Sequence, residues 1–184
     1  MKKLAFALAA STACALSLSS VPATAASMET EEAKMTASTA ATLAHNDMFE
    51  AFGDQELKPG GYLWRDVPTS AGPERIVIAL NDQLAYLYRG DTLMAVSTIS
   101  SGIVGRDTPT GIFSILGKKP MHHSKKFDNA PMPFTQFIDS YGVALHAGFN
   151  PGYPASHGCV RLPSAFAKKL YSITDVGTPV LIGA

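Results

Sequence analysis

Three short apolar runs separated by tight polar turns constrain the fold of this chain most strongly. The runs cover residues 76–80, 84–88 and 93–99, and the turns between them contain Asn-Asp and Arg-Gly-Asp. Short apolar runs bounded by turn-forming residues are typical of β-strands, and connections this short join antiparallel neighbours. The pattern therefore predicts an antiparallel meander in which each strand pairs with the next.

Further short strands and one helix are expected along the rest of the chain. A helix should begin at Ser164, a candidate N-cap, because Phe166 and Leu170 are four residues apart and would share one face. Residues 118–140 have no clear pattern and are expected to be irregular. Other apolar runs predict strands at residues 112–116, 141–146 and 180–182. The sequence thus predicts a mainly β domain with one or two short helices.

The N-terminus has the three-part layout of a secretory signal peptide. Met1-Lys2-Lys3 is positively charged, residues 4–18 are mostly apolar, and Ala23-Thr24-Ala25 offers a cleavage site. The apolar run is too short and too rich in Ala and Ser for a stable membrane span. Lipidation at Cys14 is disfavoured because the residue three positions before it is not the usual Leu. We therefore expect residues 1–25 to be removed and the protein to be exported to the periplasm or cell wall.

Residues 26–73 are expected to precede the folded domain. Residues 26–56 are mostly Ala, Thr, Ser, Met and Glu with few large apolar side chains, which predicts a poorly ordered or loosely helical lead-in. Residues 57–73 contain six Pro and Gly residues and are interpreted as a linker. Tyr62-Leu63-Trp64 is its one bulky cluster and could pack on the domain edge. The folded domain is expected to occupy residues 74–184.

Charge and cysteine content exclude several classes of function. Lys and Arg number 15, Asp and Glu also number 15, and removal of residues 1–25 leaves 13 basic against 15 acidic residues. No long basic run is present, so neither nucleic acid nor an anionic membrane surface is an expected partner. Cys159 is the remaining cysteine once Cys14 is removed, in a compartment where thiols tend to be oxidised. A lone thiol there is either buried and inert or retained for its reactivity.

The segment 145–163, LHAGFNPGYPASHGCVRLP, carries residues suited to thiol chemistry. Such chemistry needs a thiolate, a base that generates it, and hydrogen-bond donors for the oxyanion that forms on a carbonyl. Cys159 follows Gly158, which permits a sharp turn that can point successive N–H groups into one small volume. The N–H groups of Gly158 and Cys159 are therefore candidates for an oxyanion hole.

Two histidines, His146 and His157, are candidate bases for Cys159. His146 ends a predicted strand and returns to the cysteine across a loop rich in Gly and Pro, and a base is normally brought in from a separate strand in this way. The reach of His157 depends on how sharply the chain turns at Gly158, so we favour His146. A zinc site formed by Cys159 and both histidines is disfavoured, because no second cysteine or nearby acid offers a fourth ligand.

Arg161 and Ser156 are candidate substrate-binding residues next to the cysteine. Arg161 could hold a substrate carboxylate in a two-point grip or brace the loop through backbone carbonyls, and a fork-shaped donor suits both roles. Ser156 could donate to the substrate, although support of the loop is the favoured role. The lysines and histidines of residues 118–126 are interpreted as a solvated face, although a loop of this length could cover a groove.

Two stretches of the chain, Leu145-His146 and Ser156-His157-Gly158-Cys159-Val160-Arg161-Leu162, resemble the signature of the L,D-transpeptidases, the YkuD-type domain. The loop Thr108-Pro109-Thr110-Gly111 also resembles that family, and the resemblance covers roughly residues 75–182. It implies a compact, sandwich-like, mainly β catalytic domain with no metal and no cofactor. It also implies that Cys159 is the nucleophile and His146 the base, and that oxyanion or substrate binding involves Ser156, His157, Gly158 and Arg161.

The resemblance implies attack on a peptidoglycan stem tetrapeptide, at the bond between the L-centre of the diamino acid and the terminal D-Ala. An amine of a second stem peptide, or a lysine of a wall-attached protein, would then take the acyl group. Two alternatives remain: water as the acceptor, giving an L,D-carboxypeptidase or hydrolase, and a non-catalytic wall-binding module. The intact set of Cys159, His146, Gly158 and Arg161 disfavours the binding module, and the sequence does not choose between amine and water.

Overall fold

A computed structural model describes residues 28–184 of the chain. The predicted signal peptide, residues 1–25, lies outside the described residues. Within residues 28–184 there are two α-helices and ten β-strands, and the strands form two sheets. No helix in this part of the chain is long and apolar enough to cross a membrane. The fold is mainly β, as the sequence predicts.

The predicted meander forms one side of a six-stranded sheet. β2 (Glu74–Ala79) pairs with β3 (Leu84–Arg89), and β3 pairs with β4 (Thr92–Thr98), in both cases antiparallel. β1 (Tyr62–Trp64) pairs with β4 and forms one edge of the sheet. The bulky cluster Tyr62-Leu63-Trp64 of the expected linker therefore packs on the domain edge as an additional strand.

The other side of this sheet is built from segments distant in sequence. β10 (Pro179–Gly183) lies parallel to β2 and antiparallel to β5 (Gly111–Ser114), so it separates those two strands. Met28 forms an isolated antiparallel bridge with Ile112 of β5. The complete strand order is β1-β4-β3-β2-β10-β5.

A second, four-stranded sheet carries the segment that contains Cys159. In spatial order its strands are β6 (Gly117–His123), β7 (Pro131–Phe137), β8 (Ala144–Ala147) and β9 (Val160–Leu162). β6 and β7 form an antiparallel hairpin, whereas β8 and β9 are parallel. The expectation that residues 118–140 are irregular is wrong. β6 is a charged, largely exposed edge strand with Pro120 inside it, so it lacks the alternating apolar pattern by which strands are identified.

The main core lies between the two sheets and is closed by α2 (Ser164–Ile173). Phe166 and Leu170 are almost fully buried in it, as their spacing predicts. The ring of Phe166 makes an edge contact with Trp64 of β1, with 6.0 Å between the ring centroids. Ser164 is the first helical residue of α2 and not the predicted N-cap, a position that Pro163 occupies. No side chain caps this end of the helix.

The expected lead-in contains a long helix, α1 (Glu31–Phe52), instead of a poorly ordered or loosely helical segment. Thr30 caps this helix by accepting a hydrogen bond from the amide of Ala33, and the acidic side chains of the first turn favour its N-terminus through the helix dipole. Buried side chains recur every three or four residues along one face, at Ala33, Ala37, Ala41, Ala44 and Met48. The helix is therefore part of the folded unit.

The small side chains of α1 allow it to pack closely on the outer face of the six-stranded sheet. A Cβ atom added to Gly183 of β10 would lie 2.5 Å from the carbonyl oxygen of Ala37. The hydroxyl of Tyr88 in β3 donates to Asp47 of α1 at 2.5 Å. Ala and Thr supply little hydrophobicity, so the composition conceals a helix whose stability comes from this close tertiary contact.

Ala37→Leu tests the close packing of α1. We expect the free energy of unfolding to fall by about 1–3 kcal/mol, because there is no space for the added methyl groups between α1 and β10. Urea unfolding followed by circular dichroism measures this change. Thr39→Leu places the same side chain at an exposed position of the same helix and should alter stability by less than about 0.5 kcal/mol. Equal stability of the two variants would contradict the packing described here.

Candidate active site

A cleft of about 730 Å³ opens beside the four-stranded sheet. Its walls come from the end of β8, the loop that leads into β9, the turn 139–143 and the loop of the β6–β7 hairpin, residues 124–130. Five of the six site residues singled out from the sequence line the cleft, and the sixth, Gly158, lies between two of them in the chain. The five are His146, Ser156, His157, Cys159 and Arg161.

The parallel pairing of β8 with β9 brings these residues together. His146 lies opposite Arg161, and Leu145 lies opposite Val160, so the parallel register brings Cys159 level with Ala144, two residues before His146 on β8. The sulfur of Cys159 lies 3.8 Å from the carbonyl oxygen of Gly142. Cys159 and His146 both line the cleft.

His146 is held in the form that can accept a proton. Its Nδ1 lies 2.8 Å from the carbonyl oxygen of Ala147, and because a carbonyl can only accept, Nδ1 carries the hydrogen and Nε2 is unprotonated. Burial lowers the pKa of His146; the hydrogen bond to Ala147 opposes this change, and the charges of Arg161 and His122 add to it. The imidazole is therefore neutral at neutral pH and available as a base.

The thiol of Cys159 is also neutral at rest. Burial raises its pKa, and Asp139 adds to the increase, whereas the backbone of Ala144 and the charges of Arg161 and Lys126 oppose it. Since the pKa of the imidazole is lowered and that of the thiol is raised, the resting pair is a thiol and a neutral imidazole, not a thiolate and an imidazolium. Attack on a carbonyl therefore requires a base that takes the thiol proton.

Hydrogen bonds shape the turn that presents the cysteine. Gly158 has a φ of 113°, a conformation that L side chains rarely adopt. Thr108 donates to the carbonyl oxygen of Gly158 at 2.9 Å. Ser156 accepts from the amide of Gly158 at 3.1 Å, and its hydroxyl donates to the carbonyl of Cys159. Ser156 therefore supports the loop, which is the role that the sequence favours.

The two candidate oxyanion donors differ in availability. The amide of Gly158 is already bonded to Ser156 Oγ, which differs from the expectation that it points freely into the site. The amide of Cys159 makes no hydrogen bond within residues 28–184. Of the two, the amide of Cys159 is the donor free to stabilise a negative oxygen near the sulfur.

Arg161 has no internal partner that would explain it as a structural brace. Its guanidinium makes no hydrogen bond and no ion pair with any residue between 28 and 184. The stem of the side chain passes Gly148, where a Cβ atom would lie 3.1 Å from Arg161 Cγ. The guanidinium is half-buried in the cleft wall. Of the two roles that the sequence leaves open, the grip on a substrate carboxylate fits this arrangement better.

His157 is part of a wall of the cleft. Its exposed ring stacks on Phe127 of the hairpin loop, with 4.3 Å between ring centroids and 21° between ring planes. This contact ties the loop that carries Cys159 to the β6–β7 hairpin. The described residues contain no group of three or more His, Cys, Asp or Glu side chains arranged to hold a metal ion.

Comparison with known proteins decides the family. Residues 73–182 match the model of the L,D-transpeptidase catalytic domain, YkuD. This chain belongs to that family. A YkuD protein of Bacillus licheniformis is 30% identical over 116 residues, which cover 60% of this chain and 66% of the relative.

Solved L,D-transpeptidase structures share the fold. The enzyme of Xylanimonas cellulosilytica is 26% identical, with a TM-score of 0.56, and the match covers 65% of this chain and 64% of that one. The enzyme of Stackebrandtia nassauensis is 22% identical, with a TM-score of 0.57, and the match covers 74% of this chain and 64% of that one. The chain therefore matches a little under two thirds of each relative's length.

The β6–β7 hairpin contributes residues that the sequence interpretation did not place in the site. His122, Lys125, Lys126 and Phe127 all line the cleft. Lys125 and Lys126 are exposed, as the interpretation of this stretch as a solvated face requires, and they also line a groove, which agrees with the alternative that the sequence left open. The length of the segment was the signal for that alternative, because long loops in compact domains commonly cover binding sites.

The raised thiol pKa predicts how the alkylation rate of Cys159 depends on pH. In this protein the rate of reaction with iodoacetamide should increase with pH through a midpoint above that of an unperturbed cysteine, because thiolate is scarce at neutral pH. Rates measured by intact-mass spectrometry across the pH range, with N-acetylcysteine as the reference thiol, test this. A thiolate–imidazolium pair would instead give a rate that is already at its plateau in mildly acidic solution.

Proposed function

We propose that this protein is a cysteine-nucleophile L,D-transpeptidase that acts on peptidoglycan stem tetrapeptides through a thioester on Cys159. The observation that supports this most directly is the shared cleft of a thiol, an imidazole with its Nε2 unprotonated, and an unpaired guanidinium. A thiol can attack a carbonyl, the imidazole can accept its proton, and the guanidinium can bind a carboxylate in two places. These are the functions needed to cleave a peptide bond next to a C-terminal residue.

In the acylation step, Nε2 of His146 accepts the thiol proton as the sulfur attacks the carbonyl at the L-centre of the diamino acid. The amide of Cys159 donates to the oxygen that becomes negative. Collapse of this tetrahedral intermediate breaks the bond to the terminal D-Ala, whose nitrogen takes the proton back from His146. The products are a thioester on Cys159 and free D-Ala.

In the transfer step, an amine attacks the thioester carbonyl and His146 accepts the proton that the amine loses. Expulsion of the sulfur forms the new amide bond, and the proton returns to the thiol. An amine from a second stem peptide gives a cross-link between diamino acids, and a protein lysine gives attachment of that protein to the wall. Arg161 is placed to bind the carboxylate of the leaving D-Ala in the first step.

Incubation of the protein with tetrapeptide muropeptides, followed by analysis of the products, tests this function. Wild type should release D-Ala and form cross-linked dimers, which mass spectrometry identifies. Cys159→Ala should form no product, and His146→Ala should lose several powers of ten in acylation rate, because a nucleophile and its base act as a unit. His123→Ala removes an exposed imidazole of β6 that does not line the cleft and serves as the control, with acylation within about twofold of wild type.

Each other product pattern identifies a different activity. Tripeptides without dimers would show that water is the acceptor and that the protein is a carboxypeptidase or hydrolase. Unchanged muropeptides would indicate a wall-binding module. Normal acylation by His146→Ala would exclude it as the base. Reaction with a carbapenem, followed by intact-mass spectrometry, reports separately whether the thiol can be acylated, and an unchanged mass would contradict a thioester mechanism.

We also propose that the protein is exported to the periplasm or cell wall, on the basis of its N-terminal sequence. In bacteria that produce the full chain, the protein should be found outside the cytoplasm with residues 1–25 removed. Intact-mass analysis of the extracytoplasmic fraction measures the cleavage site directly. A full-length mass in the cytoplasmic fraction would contradict export.

A further inference from the structure

The cleft is cationic although the chain as a whole is neutral. The chain has 15 basic and 15 acidic residues, yet the cleft is lined by Lys125, Lys126 and Arg161 against a single carboxylate, that of Asp128. None of these three cations forms an ion pair in the described part of the chain. Asp139, whose charge acts on the thiol, reduces this positive charge without cancelling it, and a concave surface with net positive charge attracts anionic ligands.

Lys126 holds a defined position near the sulfur. Its Nζ donates to the carbonyl oxygen of Tyr141 at 2.9 Å, and the sulfur of Cys159 contacts the carbonyl of the next residue, Gly142. The ammonium and the thiol therefore contact consecutive peptide groups of one turn. The charge of Lys126 also acts on the thiol, since it opposes the increase in the pKa of Cys159.

The loop around Lys126 is anchored, and the ammonium retains hydrogen-bonding capacity. The next residue, Phe127, stacks on His157 and joins the hairpin loop to the loop that carries Cys159. An ammonium has three N–H donors, and the carbonyl of Tyr141 uses one. Lys126 can therefore bind an anion in the cleft without losing the contact that positions it.

The donor peptide can carry a second anion, in the side chain of its diamino acid. Diaminopimelate has a carboxylate at the far end of its side chain, six covalent bonds from the carbonyl that Cys159 would attack. L-Lysine has the same side chain with hydrogen in place of that carboxylate. The carboxylate of the terminal D-Ala lies on the other side of the scissile bond, where Arg161 is proposed to bind it.

We propose that Lys126 is a specificity-determining residue that binds the side-chain carboxylate of the diamino acid in the donor peptide. This inference rests on the proposed function, because it takes the stem peptide as the donor. The ammonium of Lys126 and this carboxylate form a charge-assisted hydrogen bond, which is about twice as strong as a neutral one. A lysine donor has no carboxylate at this position, so the enzyme discriminates donors that contain diaminopimelate from those that contain lysine. Binding at Lys126 and Arg161 on either side of the scissile bond fixes the attacked carbonyl relative to the sulfur.

The experiment compares two tetrapeptides, one with diaminopimelate and one with L-lysine at the third position. Wild type should use the diaminopimelate peptide with a kcat/KM about tenfold or more above that for the lysine peptide. Lys126→Gln, which keeps an N–H donor for Tyr141 but removes the charge, should reduce this ratio to within about twofold of unity, through a loss on the diaminopimelate peptide. Lys126→Arg should retain the preference.

A matched control removes a charge from the same hairpin. Lys119 is exposed on β6 and does not line the cleft, so Lys119→Gln should leave the ratio unchanged. An unchanged ratio of the two kcat/KM values in Lys126→Gln would overturn the proposal. An equal loss of kcat/KM on both peptides would also overturn it, because that result shows a structural role alone.

Dissociation constants measured by calorimetry in a Cys159→Ala background separate this proposal from the proposed function. That background cannot form a thioester, so binding is measured without turnover. A preference for the diaminopimelate peptide that disappears with Lys126→Gln supports the binding site even if wild type forms no product. Equal dissociation constants for the two peptides refute the site even if the transfer reaction takes place.

Discussion

The short parallel pairing of β8 with β9 is the interaction on which the rest of the site depends. It places His146 opposite Arg161 and sets the position at which the chain enters β9 immediately after Cys159. Parallel neighbours require a crossover connection, and in this protein the crossover is the loop that carries the cysteine. Leu145 and Val160 face each other in this pairing and are both fully buried. The positions of His146 and Cys159, the proposed base and nucleophile, are therefore fixed by backbone hydrogen bonds and by the core.

The N-terminal part of the described chain supports the crossover loop from outside. Thr98 accepts hydrogen bonds from both Asn150 of the loop and the amide of Gly60, each at 3.0 Å. At Gly152 an added Cβ atom would lie 2.5 Å from Pro59 Cγ, so the two segments are in close contact. Together with α1 and β1, the segment that contains Pro59 and Gly60 is a structural part of the domain and not a linker in front of it. Its contribution to the site is indirect, because it fixes the loop that presents Cys159.

The features that could be predicted from the sequence are those with a local signal. The meander follows from apolar runs and turns, and the chemistry around Cys159 follows from a compact motif. The helix α1 has no such signal, because its alanines stabilise it only through close packing against Gly183 of β10. The strand β6 has none either, because an exposed edge strand needs no alternation of apolar residues. The engagement of the Gly158 amide by Ser156 and the free guanidinium of Arg161 depend on the tertiary course of the loop. Lys126 looks like any surface lysine until the hairpin places it beside the turn that contacts the sulfur.

The place of β10 in the larger sheet determines when that sheet can be completed. Val180 pairs with Ile76 across 104 positions of sequence, and β10 separates β2 from β5. The sheet thus remains divided, with strand edges open, until this distant strand has been inserted, and contacts so far apart in sequence form slowly. A chain with this topology cannot complete its larger sheet until residues 179–183 have been synthesised. The same strand order that closes the core therefore leaves the edges of β2 and β5 open to pairing with other chains while β10 is missing.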